Sequence, residues 1–559
     1  MAQTSARILI LGSVKKLFTL IRIEKKEVSA IYFYAILSGL IQLSLPLGIQ
    51  AIINFAQFAA GRKILPTSMW VLIIFVVLGV LLAGIVQINQ MKMVERIQQR
   101  IFARYALEFT YKIPKMQLVP TEPYHLPELV NRFFDTTNLQ KGISKLLLDI
   151  PLAVIQIFFG ILLLSFYNTL FIGLGILLIL ILWIVFYFTA QKGLDASIEE
   201  SDYKYDLAGW IEELARSFKS FKIFGHYNLH LKKADGFLSG YLHARTTHFN
   251  VLKIQYWSLV VFKLVITAAM LIVGAFLLMD QKLNIGQFIA AEIVILMVLS
   301  AVEKLILSLD KVYDVLTSLE KLGKVIDKPL ESTGTMILQP KQSGISLEAQ
   351  DLCFGFDSTK PILKHVNFKI LAGEKISITG EAGAGKSLLM ELMTGAIKLS
   401  AGTLLVDQIP VGNYDVNSYR KNIGVFYHEQ DIFHGTLLEN IMLGKEPVDS
   451  QELIHLIDIV GLKSYVDQMP LGFDTVLKPT GKGLSSIISK KILLVRAFIQ
   501  KPTLLLLDEP FEMAGGDHSK QIAEYLMTLQ NTTIIVVTGY QEFIDQSNQV
   551  IKLQNGKII

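Results

Sequence analysis

Hydrophobic and polar positions divide this chain into two textures. Up to about residue 327 the apolar residues come in long runs, and a helix needs about 20 such residues to cross a bilayer. Six stretches qualify, near residues 29–56, 69–90, 146–166, 168–189, 258–279 and 286–307. The third and fourth are separated by Tyr167-Asn168-Thr169, which predicts a tight helical hairpin. Two long polar segments, 91–145 and 190–257, hold many lysines, arginines and acids, as does the stretch Lys15–Glu27. The positive-inside tendency places all three in the cytoplasm, with both chain termini inside. Helical periodicity runs on into the polar segments, as in Trp210-Ile211-Glu212-Glu213-Leu214, so the helices are expected to extend well beyond the bilayer.

From about residue 344 the pattern shortens. Compact β-rich runs (Val366–Ile370, Lys375–Ile378, Ile423–Tyr427, Leu504–Leu507, Thr533–Thr538) alternate with helical stretches and turn signals. That alternation predicts an α/β domain. The stretch 328–343, with Pro329, Gly334 and Pro340, reads as a linker. The expected organisation is therefore a six-helix, all-α transmembrane domain over 1–327, the linker, and an α/β domain over 344–559. Composition agrees with a membrane-embedded part. The chain is 52% hydrophobic and 18% charged, against about 25% charged for an average soluble protein. A net charge of +5 over 559 residues is too small to argue for a nucleic-acid partner, and the single cysteine, Cys353, excludes an internal disulfide framework. The apolar stretch Ile8–Leu11 is too short for the core of a cleavable signal.

Candidate chemistry is concentrated in the second texture. Gly380-Glu381-Ala382-Gly383-Ala384-Gly385-Lys386-Ser387 is an intact phosphate-binding loop between an apolar strand and a helical run, the context its mechanism requires. The glycines let backbone N–H groups turn toward an anion. Lys386 can reach the β- and γ-phosphates of ATP, Ser387 can ligate Mg²⁺, and the helix N-terminus adds partial positive charge. The apolar strand Leu504–Leu507 ends in Asp508-Glu509. Asp508 can hold Mg²⁺ and Glu509 can polarise an attacking water; in isolation such acids are more often helix caps, and the phosphate loop tips the reading toward catalysis. In the membrane half, Glu292 falls inside the sixth span, and an intramembrane carboxylate is a functional candidate by default. It is expected to face a translocation path or to pair with Lys263, whereas Glu303-Lys304 reads as a local ion pair.

On these motifs the chain resembles the ABC exporters, six spans fused to one nucleotide-binding domain and used as a dimer. The resemblance covers nearly all of it. It implies ATP and Mg²⁺ as cofactors, a P-loop NTPase (ABC ATPase) fold for the second domain, a second half-transporter as partner, and an exported cargo. It also implies surrounding membrane lipid and a cytoplasmic nucleotide domain at the inner (plasma) membrane. An aromatic just upstream of the phosphate loop stacks on adenine in that family; here Phe354-Gly355-Phe356 holds the place, and Phe356 is the candidate. The strings Pro46–Phe55 and Gly286–Glu292 look like the type I secretion and peptide-exporting branch, which suggests a periplasmic adaptor as a further partner. Members with a peptidase-like domain carry it ahead of the first span, and none is expected here because that span begins near residue 29. Segments Pro123–Asn131 and Tyr203–Phe221 match the coupling-helix positions.

Four positions depart from the family pattern. The signature Leu-Ser-Gly-Gly-Gln is Leu484-Ser485-Ser486-Ile487-Ile488. His428 stands in the Q-loop place, with Gln430 two residues away, and Gly539 replaces the switch histidine. The D-loop is Glu512-Met513-Ala514-Gly515, without its aspartate. A stiff β-branched residue where glycine allowed close approach predicts a retained fold with altered chemistry. The expectation is an exporter half that binds ATP and turns it over slowly. The alternatives are a nucleotide-sensing regulatory or scaffold subunit, or a lipid flippase.

Overall fold

The structure is a computed structural model. It describes residues 2–58, 66–121, 126–223, 228–339, 343–356, 360–427, 431–446, 448–499, 501–512 and 516–559. The chain divides into two compact units, residues 1–115 with 123–328, and residues 116–122 with 329–559.

The first unit is wholly helical: α1 (Ala2–Ile23), α2 (Lys25–Gln42), α3 (Ser44–Phe58), α4 (Thr67–Lys112), then after the short α5 (Leu118–Thr121) of the second unit, α6 (Leu126–Val130), α7 (Asp135–Tyr167), α8 (Leu170–Arg216), α9 (Phe218–Ile223), α10 (Leu229–Met279) and α11 (Ile285–Ile326). Among the described residues six helical stretches are long and apolar enough to cross a membrane. The first of them breaks at Leu43. Pro46 accounts for it, because the ring lacks an N–H and clashes with the carbonyl four residues back, that of Gln42, where α2 ends. The Tyr167–Thr169 hairpin is as tight as its sequence predicts, with Asn168 Oδ1 accepting from Leu170 N–H at 3.0 Å. Asn284 and Gln287 form a reciprocal capping box that starts α11.

Packing in this unit pairs α7 with α11, α8 with α10 and α2 with α4. Gly160 lets α7 approach α11 closely; a Cβ there would lie 2.4 Å from Val298 Cγ2. Polar side chains also tie the helices. Gln255 of α10 donates to Thr189 Oγ1 of α8 and to Tyr313 Oη of α11, both at 2.8 Å. Lys263 donates to Glu303 Oε2 at 2.6 Å. This corrects two expectations: Lys263 is not the partner of Glu292, and Glu303 pairs across helices and not with its neighbour Lys304. Trp210 Nε1 donates to His230 O at 3.0 Å and its ring meets Phe221 edge-on. Phe218 and Ile223 of α9 remain exposed.

The second unit carries β1 (Leu347–Phe354), β2 (Leu363–Ile370), β3 (Lys375–Thr379), β4 (Ala401–Val406), β5 (Ile409–Pro410), β6 (Ile423–Phe426), β7 (Gly435–Thr436), β8 (Val476–Leu477), β9 (Leu504–Asp508), β10 (Thr533–Val537), β11 (Gln549–Gln554) and β12 (Lys557–Ile558). An antiparallel sheet runs β2-β1-β4-β5, and a larger one runs β12-β11-β3-β10-β9-β6. The strands from β11 to β6 in the larger sheet are parallel. β9 and β10, buried on both faces, read as continuous apolar runs. Leu504 and Leu506 join the core that holds Leu389 and Met393, whereas Leu505 and Leu507 join the opposite core with Ile492 and Phe498. Residues 329–339 lie against this unit and do not hang free: Gly334 N–H donates to Tyr414 O at 2.9 Å. Residues 116–122 join them, with Gln117 N–H on Pro329 O at 3.0 Å and Val119 packed on the core. They lie just upstream of the Pro123–Asn131 segment singled out by sequence.

Candidate functional site

Parallel strands deliver the candidate residues to one edge. Ile378 of β3 pairs with Val537 of β10, which pairs in turn with Asp508 of β9. The start of the phosphate loop, the Thr538-Gly539 turn and the Asp508-Glu509 pair therefore leave the sheet side by side, at the carboxyl ends of its strands. Two strand spacings, about 10 Å, separate the phosphate loop from the acids. A binding crevice at that edge is the general rule for open parallel sheets.

The loop between β3 and α12 (Lys386–Met393) depends on its glycines. Gly380, Gly383 and Gly385 have φ of +147°, +79° and +97°, backbone that side chains rarely adopt. A Cβ on Gly380 would lie 2.2 Å from Leu553 O, whereas one on Gly383 would meet nothing within 4 Å. The loop is thus closed against β11 and open where an anion would sit. Lys386 Nζ donates to Gly380 O at 2.7 Å and to Glu381 O at 3.0 Å. Those bonds draw two loop carbonyls onto the ammonium, and the N-terminal amides of α12 have no partner inside their own helix. Ala384 is buried, while Glu381, Ala382 and Ser387 are exposed. A charged, glycine-lined cradle at a helix N-terminus fits a phosphate chain.

Asp508 ends β9 almost completely buried. Glu509 follows with φ +53° and donates its N–H to Val537 O at 2.9 Å. A bulky residue in the left-handed region is strained, and such strain clusters at functional sites. The Glu509 carboxyl is held above the ordinary carboxylate range, first by burial, then by Glu512 and Asp508, with Lys386 opposing. Lys386, Asp508, Glu509 and Glu512 therefore share one electrostatic site. Glu512 has no place in the sequence expectations as a tuning residue; its spacing of three from Glu509 is the signal that could have marked it. Phe356 is 47% exposed and meets the buried Phe354 edge-on at 5.3 Å, so its outer face is accessible.

The departures from the family pattern have separate local consequences. Ser485 caps the helix Ser486–Phe498, its Oγ accepting from Ile488 N–H at 3.2 Å. Ile487 is 49% exposed at that helix start, whereas Ile488 turns inward onto the core around Phe426 and Leu493. The two isoleucines are not equivalent: one presents apolar surface, the other packs. Gly539 has no neighbour within 4 Å of a Cβ position. The turn is held without a histidine by Thr538 Oγ1, which accepts from Tyr540 N–H at 2.9 Å, and by Tyr540 against Phe511. His428 and Gln430, and D-loop residues 513–515, lie outside the described residues.

Residues 28–302 match the family described as ABC transporter transmembrane region, and residues 363–512 match the family described as ABC transporter. An uncharacterized ABC transporter ATP-binding protein of Bacillus subtilis is 30% identical over 45% of this chain and 40% of its own length. The mesentericin-Y105 transport/processing ATP-binding protein of Leuconostoc mesenteroides is 28% identical over 53% of this chain and 41% of its own. The alpha-hemolysin translocation ATP-binding protein of Escherichia coli O157:H7 is 26% identical over 51% and 40% respectively. The chain thus spans about two fifths of the length of these relatives. A solved bacterial Atm1-family ABC exporter with ATP bound superposes with a TM-score of 0.84 at 17% identity, over 96% of this chain and 95% of that one, a likeness of fold. Two family matches in one polypeptide, an exporter fold and an intact phosphate loop converge, and ATP binding comes with the family: the chain belongs to the ABC transporters, with a multi-pass membrane region of exporter type joined to an ATP-binding cassette.

Proposed function

We propose that the chain is one half of a dimeric exporter that couples ATP to outward movement of a peptide, protein or other amphipathic cargo. The observation that carries this is the row Ile378–Val537–Asp508, which brings the phosphate loop and the Asp508-Glu509 pair to one sheet edge. Lys386 would neutralise the β- and γ-phosphates, and Phe356 would stack on adenine. Ser387 and Asp508 offer the hard oxygen donors that suit Mg²⁺, and the metal would supply charge neutralisation at the phosphates. Glu509, with its carboxyl raised by burial and like charge, is placed to orient water and to take its proton. Closure of two such cassettes would shift the spans between inward and outward states. The membrane would be the inner (plasma) membrane, with the cassette cytoplasmic. The names of the relatives, which speak of transport, processing and translocation, support an exported cargo and leave room for a periplasmic adaptor.

The signature end of the site supports slow turnover. In the family each site joins one subunit's phosphate loop to its partner's signature. A homodimer would set two copies of Lys386 against Ser486, Ile487 and Ile488, each site lacking a histidine at 539. One preorganised donor lost from such a site costs about 10²–10³ in rate, by analogy with oxyanion contacts. A non-identical half with Leu-Ser-Gly-Gly-Gln would complete one site, and that pairing is favoured. Exposed Ile487 and open Gly539 also support a second reading, a nucleotide-sensing subunit that does not drive transport. The test is ATPase of the purified full-length chain in lipid, set beside Lys386→Ala and Glu509→Gln. Slow turnover that Glu509→Gln abolishes and an intact partner half accelerates is expected. Brisk turnover by the chain alone refutes the slow site. Turnover unaffected by Lys386→Ala refutes the assignment.

A further inference from the structure

Charge is scarce within the six spans. No Asp, Glu, Lys or Arg occurs from Val28 to Phe58, Thr67 to Met91, Ile150 to Tyr167 or Leu170 to Gln191. The last two spans hold Lys263, Glu292 and, near the cytoplasmic end, Glu303 and Lys304. Lys263 is committed to Glu303. Glu292 is half-buried, and among the described residues no hydrogen bond or ion pair reaches it.

Register explains why. Glu292 and Glu303 are eleven residues apart on α11, three turns, and so lie within about 20° of one face. Across from them α10 runs antiparallel, with Lys263 at Glu303 and Gly274 against the ring of Phe288. The α10 stretch level with Glu292 thus falls between those two contacts. From Leu264 to Met279 it contains no Lys, Arg or His. One acid on this face has its cation; the other is left without one. On either side of Glu292 the α11 surface is apolar and open: Ile285 and Leu296 are 50% and 57% exposed. A charge within the hydrocarbon costs several kcal/mol and is usually paired or functional.

We infer that the counter-ion of Glu292 is the cargo, and that the site selects a cation carried on an apolar body, such as a lysine, arginine or amine flanked by hydrophobic groups. This rests on the exporter reading and deepens it by naming the charge of the substrate. The carboxylate supplies the charge, and exposed Ile285 and Leu296 supply apolar contact on either side.

The test uses the full-length protein in lipid nanodiscs and two ions of nearly equal size and shape, tetraphenylphosphonium and tetraphenylborate, measured by equilibrium dialysis with empty discs subtracted. Wild type should bind the cation at least tenfold more tightly than the anion. Glu292→Asp should keep that preference, Glu292→Gln should lose it, and Glu292→Lys should reverse it. Thermal stability and ATP binding, measured on each variant, establish that it is folded. Equal binding of both ions by wild type, no binding of either, or equal cation affinity in wild type and Glu292→Gln overturns the inference, because the carboxyl is then neutral or satisfied by another subunit. Failure of wild type to bind ATP would instead sink the exporter reading and leave the charge preference standing.

Discussion

Two helix starts in the cassette invite comparison. At α12 three glycines with positive φ hold a loop open in front of the first turn, and Lys386 is folded over it. At Ser486 the helix begins just as securely, but a serine side chain accepts from Ile488 N–H and a half-exposed isoleucine, Ile487, stands in the first turn. Both are sound helix N-termini, and only the first is fronted by a glycine-lined cradle. Folding asks each start for a cap; binding asks it for an uncovered approach to the amides. Substitutions can remove the second requirement and leave the first untouched, so an altered signature is compatible with an intact domain.

The strongest way to break this comparison is at the receptacle. Lys386→Ala removes a charged hydrogen-bond donor, worth about 2–3 kcal/mol, and should weaken ATP about 100-fold by fluorescent-nucleotide titration. Ile487→Gly should leave that affinity unchanged; a comparable loss in both variants would erase the distinction between the two starts. Next comes restoration. Ser486→Gly, Ile487→Gly, Ile488→Gln and Gly539→His together should raise turnover at least tenfold, since the space at Gly539 is empty and one regained donor is worth about 10²–10³ in rate. No gain would mean that the residues outside the described set, His428 among them, limit the reaction. Ile488 bears on the same experiment in a second way: its glutamine variant should lower stability because the side chain packs inward, and a thermal melt separates that cost from the kinetic gain.

Smaller effects sharpen the picture. Ser485→Ala deletes the cap and should cost about 1 kcal/mol, with a Tm lowered by about 2–4 °C and ATP affinity intact. Glu512→Gln removes one of the charges that raise the Glu509 carboxyl. The base works when deprotonated, so the acid limb of Glu509-dependent turnover should move to lower pH. The linkage has the matching sign. A carboxyl raised in the folded state contributes stability below its ordinary pKa, and that contribution is lost as pH rises through the raised value. Glu509→Gln should therefore be no less stable than wild type at neutral pH, and hydrogen-ion titration of the melt checks it.

Hydropathy and motif spacing made six spans, an α/β cassette and the phosphate loop legible before any coordinate. What escaped them depends on rotation and register between elements. Run length tells that α10 and α11 can span a bilayer, but it does not tell which acid of α11 Lys263 will face, and Glu303 holds that place. The break at Leu43 was readable in principle from Pro46, yet the apolar run continues through it without a mark. Ile487 and Ile488 are identical letters one residue apart, and only the 100° turn of a helix assigns one to solvent and the other to the core. The Glu509–Glu512 coupling likewise needs the fold of a turn that no apolar pattern encodes.

The strip of residues 116–122 that lies with the second unit has a practical consequence for anyone handling the protein in pieces. A cassette expressed from residue 329 onward would start in the middle of its own structure. It would lack the β-bridge from Met116 to Leu330, the Gln117 bond to Pro329 and the Val119 side chain on the core. The excised fragment would carry a raw apolar scar facing solvent, a patch of the kind that promotes self-association. Aggregation of such a fragment would report on where it was cut, and not on whether the native cassette is soluble, stable or able to bind nucleotide.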